Sequence, residues 1–247
     1  MNDHPDSAVR LQWSGSVARL LLNRPSTGNA LSVEVVDGFN AALDECTRLA
    51  ATLIVIEGAG KHFCTGFDLA ALALETDDSL LARLTRIELL LQRVARAPCA
   101  TVAVARGRAM GAGADLFAAC SHRLIDGSAG FAFPGARGFG IVLGTRRLAA
   151  RVGRQLALDW TSSGRLIGDK EALASGLASA HLEGSAALPE RLEALRRDAP
   201  AEGVGALLRA LEDDAAGEDA RDLSALVRSA ARPGLQSRVA AYVAGRG

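Results

Sequence analysis

Apolar and polar positions follow two periods along this chain, and the changes between them mark its elements. Val9 to Trp13 and Val17 to Leu22 read as short strands, with Ser14-Gly15-Ser16 between them suited to a hairpin. Asn23-Arg24-Pro25 ends the second strand. From Ser32, a residue type that caps helices well, apolar residues recur at Val33, Val36, Leu43, Cys46 and Leu49, close to the helical period. Thr52 to Ile56 is a continuous apolar run and predicts a buried strand. Ser79 to Ala97 carries Leu80, Leu84, Ile87, Leu91 and Val94 along one stripe, which predicts a helix, and Pro98 ends it. Ala100 to Ala105 returns to the sheet, Gly111 to Cys120 predicts another helix, and Arg123 to Asp126 and Gly130 to Phe133 read as short strands.

Repeated strand, turn and helix units argue an α/β fold. Beyond Gly144 the pattern is mostly helical, at Thr145 to Val152, Arg154 to Thr161, Lys170 to Ala174, Leu188 to Arg197 and Val204 to Leu211, with one short apolar run around Leu177 to Leu182. Ala215 to Asp222, small and charged, reads as an exposed connection before helices at Leu223 to Ala231 and Leu235 to Val243. The expected organisation is a catalytic core over residues 1–190 and a C-terminal helical region over 191–247 that serves oligomerisation.

Composition narrows the partners. The chain has 247 residues, 49% of them apolar, enough for one large core. Lys+Arg 28 against Asp+Glu 28 leaves no net charge, so nothing points to nucleic acid or an anionic membrane. No uncharged apolar run approaches the ~18 residues of a membrane span. Cys46, Cys64, Cys99 and Cys120 lack metal-type spacing and sit in apolar stretches, as buried thiols in a reducing compartment do. The start, Met1 to Asp6, is polar and acidic without the apolar core of an export signal, and its His4 falls in a tail expected to lack order. A cytoplasmic location is expected.

The chemistry concentrates in two glycine-bearing segments. Phe63-Cys64-Thr65-Gly66-Phe67-Asp68-Leu69 follows the apolar run ending at Ile56, and Gly107-Arg108-Ala109-Met110-Gly111-Ala112-Gly113-Ala114-Asp115 follows the run ending at Ala105. Each reads as a strand, a glycine turn and a helix start, where free N–H groups and the helix dipole favour developing negative charge. One such turn alone is most often a tight connection. Two that meet on one oxygen make an oxyanion hole. Gly107 to Gly113 also fits a dinucleotide phosphate loop, but it lies mid-chain, and the only tyrosine, Tyr242, is far from the place a reductase needs it. Asp115, in the first turns of the predicted helix, is the candidate acid/base; the alternative is an acidic side chain placed favourably at a helix N-terminus.

At these residues the chain resembles the crotonase, or enoyl-CoA hydratase/isomerase, superfamily, over roughly positions 17 to 182. Leu22-Asn23-Arg24-Pro25 with Asn29-Ala30-Leu31 resembles the family's opening loop, the two glycine segments resemble its oxyanion loops, and Ser175-Gly176-Leu177 resembles its late helix-turn signature. The resemblance implies a ββα spiral with a C-terminal helical region, assembled as a homotrimer or a dimer of trimers. It also implies an acyl-CoA thioester substrate, with coenzyme A entering only as part of the substrate and no metal or other cofactor. The thioester oxygen would lie between the N–H groups of Phe67 and Ala112, with Cys64, Gly66, Asp68, Leu69, Met110, Gly111, Pro134 and Gly135 around it and Ala30 and Leu31 along the pantetheine. Arg24 is placed either on the CoA phosphates or in solvent. Lys61 and His62 either add positive charge at the pocket mouth or are solvated.

Hydratases of the family carry a glutamate at the position of Asp115 and another just after the proline matching Pro134; here that second position is Gly135. No Asp or Glu occurs between Asp126 and Asp159. Adding water is best served by two groups, whereas a 1,3-proton shift can be run by one base. Hydration or isomerisation of an enoyl-CoA is expected, with the residues favouring one-carboxylate chemistry. Thioester hydrolysis, decarboxylation and non-catalytic acyl-CoA binding are the alternatives.

Overall fold

The computed structural model describes residues 6–198, 204–211 and 214–245; His4 lies outside them. β1 (Val9–Ser14) and β2 (Val17–Leu22) form the expected antiparallel hairpin, with Val9 opposite Leu22. α1 (Val33–Arg48) begins where Ser32 Oγ accepts the Val35 N–H at 3.2 Å. β3 (Leu53–Gly58) leads to α2 (Asp77–Ala95), whose start is closed reciprocally: Thr76 Oγ1 accepts the Ser79 N–H and Ser79 Oγ accepts the Thr76 N–H. β4 (Ala100–Met110), α3 (Ala112–Ala119) and β5 (His122–Ala132) complete the central unit. Then come α4 (Gly135–Phe139), α5 (Thr145–Val152), α6 (Arg154–Ser163), β6 (Ile167–Gly168), α7 (Asp169–Ala174) and β7 (Ala180–Leu182). Four helices follow: α8 (Leu188–Arg197), α9 (Val204–Ala210), α10 (Ala215–Ala230) and α11 (Leu235–Ala244).

Among the described residues one sheet runs in the order β1-β2-β3-β4-β5-β6, with β7 also on β5. Strands β2 to β5 pair in parallel. Such strands are covered on both faces, and the apolar runs show it. In β3, Ile54 and Ile56 face the main core with Phe39, Leu91 and Phe117, while Leu53 and Val55 face a second cluster with Val102 and Leu124. That second cluster is covered by Leu188, Leu192 and Leu195 of α8. The expected division after residue 190 thus falls inside a helix that packs on the sheet.

Three sequence expectations are corrected. Ala215 to Asp222 is no exposed connection but the first half of α10, started by Asp214 accepting the Gly217 N–H at 3.0 Å and held by Arg96 and Arg146 on Glu218, Asp219 and Asp222. β4 runs on through Gly107, which pairs with Ala129 beyond a register shift that sets Arg106 opposite Asp126 to Ser128 of β5, and the chain turns only at Gly111. The two short strands expected from Arg123 to Phe133 belong to one strand, β5, which pairs with β4 on both sides of that shift, over His122 to Ile125 and over Ala129 to Ala132. Among the described residues no helix is long and apolar enough to cross a membrane.

Candidate active site

The first glycine segment is a loop braced from three sides, not a strand-turn-helix; the next helical residues after it are Leu72–Leu74, a single short turn. Fully buried Asn29 fixes its base: Oδ1 accepts the Arg24 N–H, while Nδ2 donates to the carbonyls of Ala59 at 2.9 Å and His62 at 2.7 Å. The Leu31 N–H donates to the Gly66 carbonyl at 2.7 Å, and Cys64 exchanges backbone bonds with Arg108 and Met110 beside β4. From α2, Arg83 donates to the Asp68 carbonyl at 2.8 Å, pairs with Glu75, and lies over the Phe67 ring at 4.3 Å.

The second segment does open a helix. Gly111, at φ 51°, donates its N–H to the Ala132 carbonyl at 2.8 Å, and α3 starts at the next residue. The two segments touch through glycines. A Cβ on Gly66 would collide with the Met110 carbonyl oxygen and lie 3.4 Å from the Ala112 nitrogen, and one on Gly113 would collide with the Cys64 carbonyl. Among the described residues, neither the Phe67 nor the Ala112 N–H is given to a turn, loop or cap carbonyl. At the far end of α3, Arg123 and Arg151 donate to the exposed carbonyls: Arg123 Nη1 to Cys120 at 2.9 Å and Arg151 Nε to Ala118 at 3.1 Å. Cations therefore stabilise the negative end of the helix whose positive end is Ala112.

Phe67, Ala112 and Asp115 line one cavity of about 70 Å³. Its other walls are mostly apolar, among them Leu84, Phe133, Ile141 and Leu143. α11 reaches it through Tyr242, and behind its wall Leu226 and Ala230 of α10 and Leu235 and Val239 of α11 pack with Leu80, Leu84 and Phe67 in one cluster. Asp115 is 4% exposed, and among the described residues its Oδ1 has no hydrogen-bond partner. Burial pushes its carboxyl well above the ordinary carboxylate range; the charge of Arg147 opposes the shift and that of Glu88 adds to it. Gly144, at the start of α5, lies so close that a Cβ there would collide with the carboxylate. Beside it Arg147 is held by buried Glu88, with Nη2 to Oε2 at 2.5 Å, and by Asp222 of α10 at 2.9 Å.

Of the residues expected from sequence, Phe67, Leu69, Met110, Gly111, Ala112, Asp115, Pro134 and Gly135 line the cavity. Ala30, Leu31 and Cys64 are buried in the frame behind it, and Gly66 is the contact point between the segments. Asp68 accepts the Ala70 N–H in its own loop. Arg24 Nη1 reaches Glu34, in the first turn of α1, at 2.7 Å, so its charge is paired rather than free. His62 adds no positive charge: its Nδ1 accepts the Arg108 N–H at 3.1 Å, and burial, with Arg108 and Lys61 nearby, holds the ring below its ordinary value. Sequence reasoning missed Arg83, Gly144, Arg147 with Glu88, and Tyr242 as a cavity wall, because each acts through a partner far away in the chain.

A partly parallel sheet thus leads into two touching glycine segments, with a buried carboxylate on a small, mostly apolar cavity, in an α/β fold. The chain belongs to the enoyl-CoA hydratase/isomerase family, whose model matches residues 12–214. It is 34% identical over 196 residues to a Bacillus subtilis (strain 168) protein named "Probable enoyl-CoA hydratase", covering 76% of this chain and 74% of that one. It is 29% identical over 187 residues to the peroxisomal Delta(3,5)-Delta(2,4)-dienoyl-CoA isomerase of Arabidopsis thaliana, covering 69% of this chain and 67% of that one. Among solved structures, a Bordetella parapertussis chain assigned to the enoyl-CoA hydratase/isomerases superposes with a TM-score of 0.89 at 38% identity, over 96% of this chain and 98% of that one. The expected crotonase fold is thereby met, and the chain is an enzyme of the enoyl-CoA hydratase/isomerase type.

Proposed function

We propose that this enzyme moves the double bond of an enoyl-CoA, holding the thioester oxygen on the Phe67 and Ala112 N–H groups and carrying one proton on Asp115. The observation that supports this reading is that, among the described residues, Asp115 is the only carboxylate lining the cavity it shares with Phe67 and Ala112. Asp115, ionised, takes a proton from carbon; the electron pair spreads onto the thioester oxygen as a dienolate, and the carboxyl, after exchanging with solvent, returns a proton at the carbon two positions away. Each backbone donor aimed at that oxygen contributes on the order of 3 kcal/mol. Burial raises the proton affinity of Asp115, which makes it a stronger base toward a carbon acid. Gly135, at the cavity wall, offers no second group to activate water.

Incubation with 2-enoyl- and 3-enoyl-CoA in deuterium oxide, followed by mass spectrometry, tests this. Deuterium should enter the acyl chain, with the double bond moved and no mass of water gained. Asp115→Asn should lower the exchange rate by roughly 10²-fold or more. Conversion of 2-enoyl-CoA to a hydroxyacyl-CoA as fast as isomerisation, or free coenzyme A as the main product, would count against it.

A further inference from the structure

Tyr242, from α11, stands between two cavities. It lines the inner cavity of about 70 Å³ described above, and it also lines an outer cavity of about 460 Å³ with Arg137, Gly138, Ser163 and Gly164. Only Tyr242 and Pro134 belong to both linings, and α6 passes both, presenting Thr161 to the inner one and Ser163 to the outer. The ring is fixed in place. It meets Phe139 edge-on with centroids 5.3 Å apart, and it lies so close over Gly138 that a Cβ there would be 2.6 Å from two of its carbons. An apolar cavity of about 150 Å³ holds benzene, so the inner space suits roughly three carbons.

Resting on the proposed acyl-CoA reading, we propose that Tyr242 determines chain-length specificity: its ring ends the acyl pocket, restricts the enzyme to short-chain acyl-CoA thioesters, and bars longer chains from the outer cavity. The inner walls are mostly apolar, so they select chiefly by size. Taking away the ring joins the two spaces and gives a long chain a route past Gly138.

The test is a ladder of saturated acyl-CoA thioesters from four to ten carbons, with Kd measured by calorimetry and, for the matching enoyl-CoA set, kcat/KM. Wild-type protein should favour the four-carbon member over the ten-carbon one by roughly tenfold or more, and Tyr242→Ala should move that ratio toward the long chain by a similar factor. Tyr242→Leu, which keeps apolar packing for α11, should move it in the same direction, and Tyr242→Phe, which keeps the ring, should restore the wild-type ratio. Equal affinity along the ladder in the wild type, or an unmoved ratio in a Tyr242→Leu protein with a normal thermal melt, overturns the inference and leaves the proposed function standing. Failure of every chain length to bind the wild type overturns both.

Discussion

A carboxylate with one oxygen buried and without a hydrogen-bond partner among the described residues costs stability, and Asp115 is such a group. Its folded proton affinity is raised, so the folded chain binds the proton more firmly than the unfolded one, whose value is near 3.8. Stability from this proton is complete below that value and is lost as pH rises through the folded one. Asp115→Asn removes the titration while keeping the shape. The variant should therefore melt at a higher temperature than the wild type at pH 8, with the gain shrinking toward pH 4, while catalysis falls. A thermal-melt series against pH checks it; a variant that loses stability most at high pH would contradict the assignment. Catalysis in the wild type should rise with pH across the same range, because only the ionised carboxylate takes a proton.

Elements were legible where their causes are local. The Ser32 cap, the two-sided run of β3 and the stripe of α2 are all written within a few residues of where they act. α10 was not, because Glu218, Asp219 and Asp222 look solvated until Arg96 and Arg146 are brought to them from elsewhere in the chain. Both glycine segments line the candidate cavity, but the brace of Arg83 and the proximity of Gly144 to Asp115 depend on packing that no local pattern carries. The tie between α2, α5 and α10 is of this kind. Glu88 is fully buried, and Arg147→Met would strand its charge, at a cost of about 3–5 kcal/mol in chemical denaturation. Glu88→Gln combined with Arg147→Met should recover part of that loss, since residue 88 then carries no bare charge.

Across the whole molecule, the cavity is walled by the two glycine segments, α3 and α4, and the C-terminal helix α11 meets it at Tyr242 while packing on the wall behind. Leu235 and Val239 of α11 are buried against Leu80, Leu84 and Leu226, each worth about 1.5–3 kcal/mol. A chain stopped after Gly234 should keep its sheet yet unfold at clearly lower denaturant and lose acyl-CoA affinity, measured by denaturation and calorimetry on the same preparation. Retained affinity would mean that α11 is dispensable to the pocket. The order of synthesis adds a consequence. α11 is translated after every other element described here, so Phe67, Ala112 and Asp115 leave the ribosome well before the helix that meets their cavity at Tyr242. Until α11 is made, the nascent protein leaves Leu80, Leu84 and Phe67 without the cover of Leu235 and Val239, an oily trough open to a chaperone.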